Sequence, residues 1–66
     1  MKIEEAKEMV EKIAGYADDD ETAHAMEDEL YHDFITYVSN GGKKDLQKIA
    51  KIIKKTEGFD FARWVA

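Results

Sequence analysis

His24, Asp28 and His32 stand at i, i+4 and i+8, which aligns them along one face of a helix. Two imidazoles and a carboxylate suit zinc, and Glu29-Leu30-Tyr31-His32 has the Glu-x-x-His form used in carboxylate-bridged metal bundles. The spacing works against a single ion. At 1.5 Å of rise per residue, His24 and His32 lie about 12 Å apart, too far to close on one metal together with Asp28. The flanking helical stretches supply no further histidine. These three residues are therefore weak metal candidates, better read as solvated or locally bonded side chains, and a metal would need a site shared in a dimer. No cofactor is expected.

Other chemistry finds still less support. Glu27 and Asp28 are neighbours, so on a helix their side chains diverge by about 100° and form no acid/base pair. The chain has no cysteine, which removes disulfides, thiolate ligands and thiol nucleophiles. No Ser-His or Lys dyad stands out, and no glycine-rich phosphate loop is present. Gly41-Gly42 suits a helix C-cap better than a phosphate cradle. The lysines at 44, 48, 51, 54 and 55 resemble a solvated face, and Arg63 is the one arginine, whereas base recognition favours arginine. The expectation is a non-enzymatic protein.

Three amphipathic segments would have to position these residues. Ile3, Ala6, Met9, Val10 and Ile13 recur at helical spacing up to Gly15. Asp18 is the expected cap of a second helix, with Glu21 at capping-box distance and Asp19 and Asp20 in the first turn. Its stripe is Ala23, Met26, Leu30, Phe34, Tyr37 and Val38, ended by Ser39-Asn40-Gly41-Gly42. Lys43 to Thr56 reads as a third helix with Leu46, Ile49, Ala50 and Ile53 inward. Glu57-Gly58 stops it, and Asp60 is placed to cap one short terminal turn. The spacing predicts one all-α domain over residues 1–66, a three-helix bundle with a short packed C-terminal helical turn.

At 66 residues such a chain buries only about 60% of its surface, so its core is small. Its net charge of −5 hides a polarity of −9 over residues 1–33 against +4 over residues 34–66. Whole-chain acidity argues against direct nucleic-acid binding and against anionic lipid. No apolar run approaches the roughly 20 residues of a membrane span, and a cytoplasmic location is expected. Phe59, Phe61 and Trp64, with Tyr31, Ile35 and Ile52, exceed what one narrow core must hold. Part of this set caps the bundle, and part is available to a partner, since Trp, Tyr and Arg dominate binding hot spots. Arg63 is expected to meet Glu27 or Asp28 across the fold in a charge-assisted pair.

Residues 23–34, Ala-His-Ala-Met-Glu-Asp-Glu-Leu-Tyr-His-Asp-Phe, and 60–66, Asp-Phe-Ala-Arg-Trp-Val-Ala, together resemble a family of small uncharacterised bacterial and phage proteins. In that family an acidic turn leads into an AHxxEDxL helix, and the chain ends in a DFARWxA segment. His24, Glu27, Asp28, Asp60, Phe61, Arg63 and Trp64 match, and Val65 stands where cysteine is common. The resemblance implies an accessory protein of phages or mobile elements. By analogy with small phage proteins, it would act by occluding a host protein. The expected partner is thus a host protein with a basic surface, met by Glu27, Asp28, Tyr31, Asp33, Arg63 and Trp64. Glu21 and the other acids of the second helix would steer the encounter. The alternative is a homodimer or other homo-oligomeric module that buries its own surplus apolar surface.

Overall fold

A computed structural model describes residues 1–63. The chain is all-α: α1 spans Ile3–Gly15, α2 Asp20–Ser39 and α3 Leu46–Lys54, followed by a 3-10 turn over Lys55–Gly58. The core forms where the apolar stripes meet. Ala6, Val10 and Ile13 of α1, Ala23 and Leu30 of α2, and Ile49 and Ile53 of α3 are buried, with Phe61 closing one end. Helix α1 is central and packs against both α2 and α3. The expected three-helix bundle is the observed one.

The helix ends explain where the chain turns. Asp19, not Asp18, caps α2: its carboxylate accepts from the Thr22 backbone N–H at 3.2 Å and the Thr22 hydroxyl at 2.9 Å. A turn after α1, in which the Asp19 N–H donates to the Tyr16 carbonyl at 2.8 Å, sets the cap one residue later than the Asp18–Glu21 spacing predicts. The far end of α2 follows the glycine signal. Gly41 takes φ +90°, Gly42 N–H donates to Tyr37 O at 2.8 Å, and Gly41 N–H donates to Val38 O at 3.0 Å. That is a Schellman closure.

Helix α3 is shorter than the lysine and isoleucine periodicity predicts. The Tyr37 hydroxyl donates to the Lys44 carbonyl at 3.2 Å, which holds residues 43–45 as a loop, and Asp45 turns the chain through a left-handed φ of 59°. At the other end the buried Thr56 hydroxyl donates to Ile53 O at 3.1 Å, and the last turn tightens to 3-10. The short helical turn after α3 therefore lies at Lys55–Gly58. Phe59–Arg63 continues as a non-helical strap, so Asp60 caps nothing there.

The shorter helices cover α2 on one side only. Its 20 residues run about 30 Å, whereas the 13 of α1 and 9 of α3 reach about 20 and 14 Å. The fully buried α2 residues, Ala23, Glu27 and Leu30, all lie in its first 11 positions. Beyond Leu30, Phe34 and Tyr37 are half-buried, and Val38, expected in the core, is exposed.

Candidate functional site

Glu27 is the buried charge of this fold, 7% exposed on the inward face of α2. Arg63 reaches it from the strap. Nε donates to Oε1 at 2.7 Å and Nη2 to Oε2 at 3.1 Å, a bidentate fork. The same guanidinium donates to the carbonyls of Thr56, Phe59 and Phe61 and lies 3.9 Å from the centroid of the Phe61 ring. Burial alone would push the Glu27 carboxyl up. The Arg63 hydrogen bonds, with smaller help from Thr56 and from the Arg63 charge, outweigh it and hold the carboxyl below its ordinary value. Arg63 is in turn held above its own, chiefly by the bond to Glu27. Both groups are ionised at neutral pH. A second tie fixes the strap: Ala62 N–H donates to the Asp20 carboxylate at 3.0 Å. Among the described residues, no buried side-chain nitrogen or oxygen lacks a partner.

The expected pairing of Arg63 across the fold is thus made with Glu27. It turns both residues onto each other, so neither offers a free charge to a partner. Asp28 and Tyr31 are on the outer face, the Asp28 side chain 71% exposed with its carboxylate 3.4 Å from His24 Nε2. Asp33 is exposed too, but five residues along a helix is a rotation of about 140° from Asp28. It lines an open groove with Met1, Glu5 and Thr36 on another side of α2. Trp64 lies outside the described residues, as does its expected place in the core or at a partner. His32 is exposed, and among the described residues no three His, Asp or Glu side chains gather to hold a metal.

What the outer face of α2 does bring together is Tyr31, Ile35 and Val38, which are 37%, 63% and 40% exposed. At i, i+4 and i+7 they form one apolar stripe. Around it, no lysine or arginine occurs between Lys12 and Lys43, while eight acids do, Glu27 being the one buried. Ile35 counts among the surplus apolar residues of the sequence, but Val38 falls on the predicted inward stripe. The signal that separates them is the 31-35-38 spacing, offset from the Leu30-Phe34-Tyr37 stripe by one residue. The face combines apolar area with the Asp28 carboxylate, and the cation nearest to it, Arg63, is taken up by Glu27.

No protein-family model matches the chain, and neither a curated protein nor a solved structure matches it. No described helix is long and apolar enough to cross a membrane.

Proposed function

We propose that this chain is a small, non-enzymatic interaction module that binds a host protein and modulates it, with the outer face of α2 as its contact. The observation that carries the reading is the exposed Tyr31-Ile35-Val38 stripe on a cation-free helix, because an apolar run that a small fold leaves in water marks an interaction surface. Asp28 and Glu21 steer the encounter towards a basic surface. The Glu27–Arg63 pair serves the fold, anchoring the strap against α2. The resemblance of residues 23–34 and 60–66 to small phage and bacterial proteins supports an accessory role of an inhibitory, anti-defence kind in the cytoplasm.

The test is affinity capture from bacterial lysate with the intact protein and its Ile35→Asp variant, in nuclease-treated and chelator-treated arms. One host protein retained by the intact chain in every arm and lost by the variant is the expected result. Retention of the same protein by both forms refutes the α2 face as the contact. Loss on nuclease or chelator moves the function to nucleic acid or metal.

A further inference from the structure

The outer face of α2 has a register beyond its stripe. Glu21, Asp28 and Ile35 are seven residues apart, and so are His24, Tyr31 and Val38, three residues further on. This is the a/d spacing of a heptad seam, on which a second helix packs knobs into holes. The seam has three layers. Glu21 with His24 is polar, Asp28 with Tyr31 is mixed, and Ile35 with Val38 is apolar. Glu21, Asp28, Tyr31, Ile35 and Val38 are exposed and His24 is partly so; α1 and α3 pack where Ala23 and Leu30 are buried, and the strap borders the His24–Tyr31 edge of the seam, its Arg63 guanidinium taken up by Glu27.

We infer that this seam docks one amphipathic helix of another protein, apolar where it meets Ile35 and Val38 and bearing lysine or arginine where it meets Asp28 and Glu21. The inference rests on the α2 face being the contact and adds the chemistry of what covers it. Charge selects the occupant. A second copy in parallel register sets Glu21 against Glu21 and Asp28 against Asp28, like charges at two of three layers. In antiparallel register it sets Ile35 and Val38 against Glu21 and His24, leaving the apolar layer unmatched. The α3 of a second copy brings cations but no fully exposed apolar side chain, since its exposed positions are Gln47, Lys48, Lys51 and Lys54 and its Leu46 and Ile52 are half-buried in its own bundle. A basic amphipathic helix satisfies all three layers.

The test uses labelled 21-residue helical peptides as probes. One has leucine at the a and d positions of one terminal heptad, one leucine and one lysine at those of the middle heptad, and lysine at both of the other terminal heptad, in both sequence orders so that either alignment can form. Controls replace the lysines by glutamate, or shuffle the same composition. Backbone amide NMR shifts and fluorescence anisotropy read binding to the intact chain, to Ile35→Asp and to Asp28→Lys. Both substituted side chains are exposed, and circular dichroism checks that the variants stay folded.

The expected result is shifts centred on residues 28–38, at least tenfold weaker binding of the glutamate peptide, and loss with the shuffled peptide and with Ile35→Asp. Asp28→Lys should erase or reverse the charge preference. Equal affinity for the lysine and glutamate peptides overturns the inference, as does a shift map elsewhere on the chain. So does a dimer in sedimentation that Ile35→Asp disperses, which would make the occupant a second copy. Peptide binding that appears only after truncation at Arg63 assigns the seam to the chain's own last residues and also overturns it. If the peptides fail while a lysate partner still depends on Ile35, the partner chemistry is wrong and the interaction reading stands. If the lysate partner ignores Ile35→Asp, that reading falls with it.

Discussion

Replacing Arg63 by alanine should remove more stability than any other substitution outside the apolar core. Arg63 satisfies both oxygens of a carboxylate that is 7% exposed, and three backbone carbonyls besides. Removing one member of a fully buried ion pair costs about 3–5 kcal/mol, because the other charge is left without a partner. The Arg63 side chain is 33% exposed, so water can reach part of the vacated site, and about 2–3 kcal/mol is the discounted expectation. A chain of this length holds on the order of 3–10 kcal/mol in total, and each kcal/mol shifts the midpoint by about 4–8 °C. Thermal and urea unfolding followed by circular dichroism should therefore show Tm lower by about 10–20 °C. Glu27→Gln should cost less, about 1–2 kcal/mol, since an amide oxygen still accepts from Arg63 and the three carbonyl contacts remain. The Arg63→Ala, Glu27→Gln double variant should be more stable than the sum of the single losses by about 1 kcal/mol. A loss under about 0.5 kcal/mol for Arg63→Ala, or strict additivity in the double variant, would refute the clamp.

The same pair fixes an acid dependence. Glu27 has a lower pKa folded than unfolded, so the unfolded chain takes up the proton first. The Glu27 contribution is complete above its ordinary value of about 4.3 and is lost as pH falls through the lower folded value. Urea midpoints measured from pH 6 to pH 3 should fall more steeply for the intact chain than for Glu27→Gln, and parallel curves would contradict this. Asp19→Ala should cost about 1 kcal/mol through the lost cap, while Asp18→Ala should stay within about 0.5 kcal/mol; calorimetry of both variants decides which aspartate caps α2. At Gly42 an added Cβ would sit 2.5 Å from the Tyr37 ring. Gly42→Ala should therefore displace that ring from the Lys44 carbonyl and cost about 1–3 kcal/mol, seen as a lower Tm and shifted Tyr37 ring resonances.

The three helices were legible because period and punctuation agree. Ala6, Val10 and Ile13 mark one face, and Gly41 and Gly42 close α2 as a glycine pair should. The misplacements have local causes in side chains that reach backbone groups. The Tyr37 hydroxyl on the Lys44 carbonyl delays α3, the Thr56 hydroxyl on Ile53 shortens it, and the Tyr16–Asp19 turn shifts the α2 cap by one residue. None of these has a periodic signature. Arg63 was readable as a clamp because one arginine faced a short choice of carboxylates. That Glu27 rather than Asp28 receives it follows from rotation, since only Glu27 shares the inward face with Ala23 and Leu30.

Rotation also explains why α2 has two faces. The clamp consumes Glu27 and Arg63 and holds the strap beside the first half of α2, while the start of α1 lies alongside the second half, where Met1 and Glu5 line a groove with Asp33, Thr36 and Tyr37. The second half of α2 is thus covered on one side only. Its apolar residues then divide by angle, Phe34 and Tyr37 half-buried against the bundle, Ile35 and Val38 turned to water. A core-only sequence would place polar residues at 35 and 38, as it does at Glu21 and Asp28 on the same seam. Isoleucine at the most exposed of these positions, 63% accessible, gains little from the described bundle, and the proposed partner helix is what would bury it.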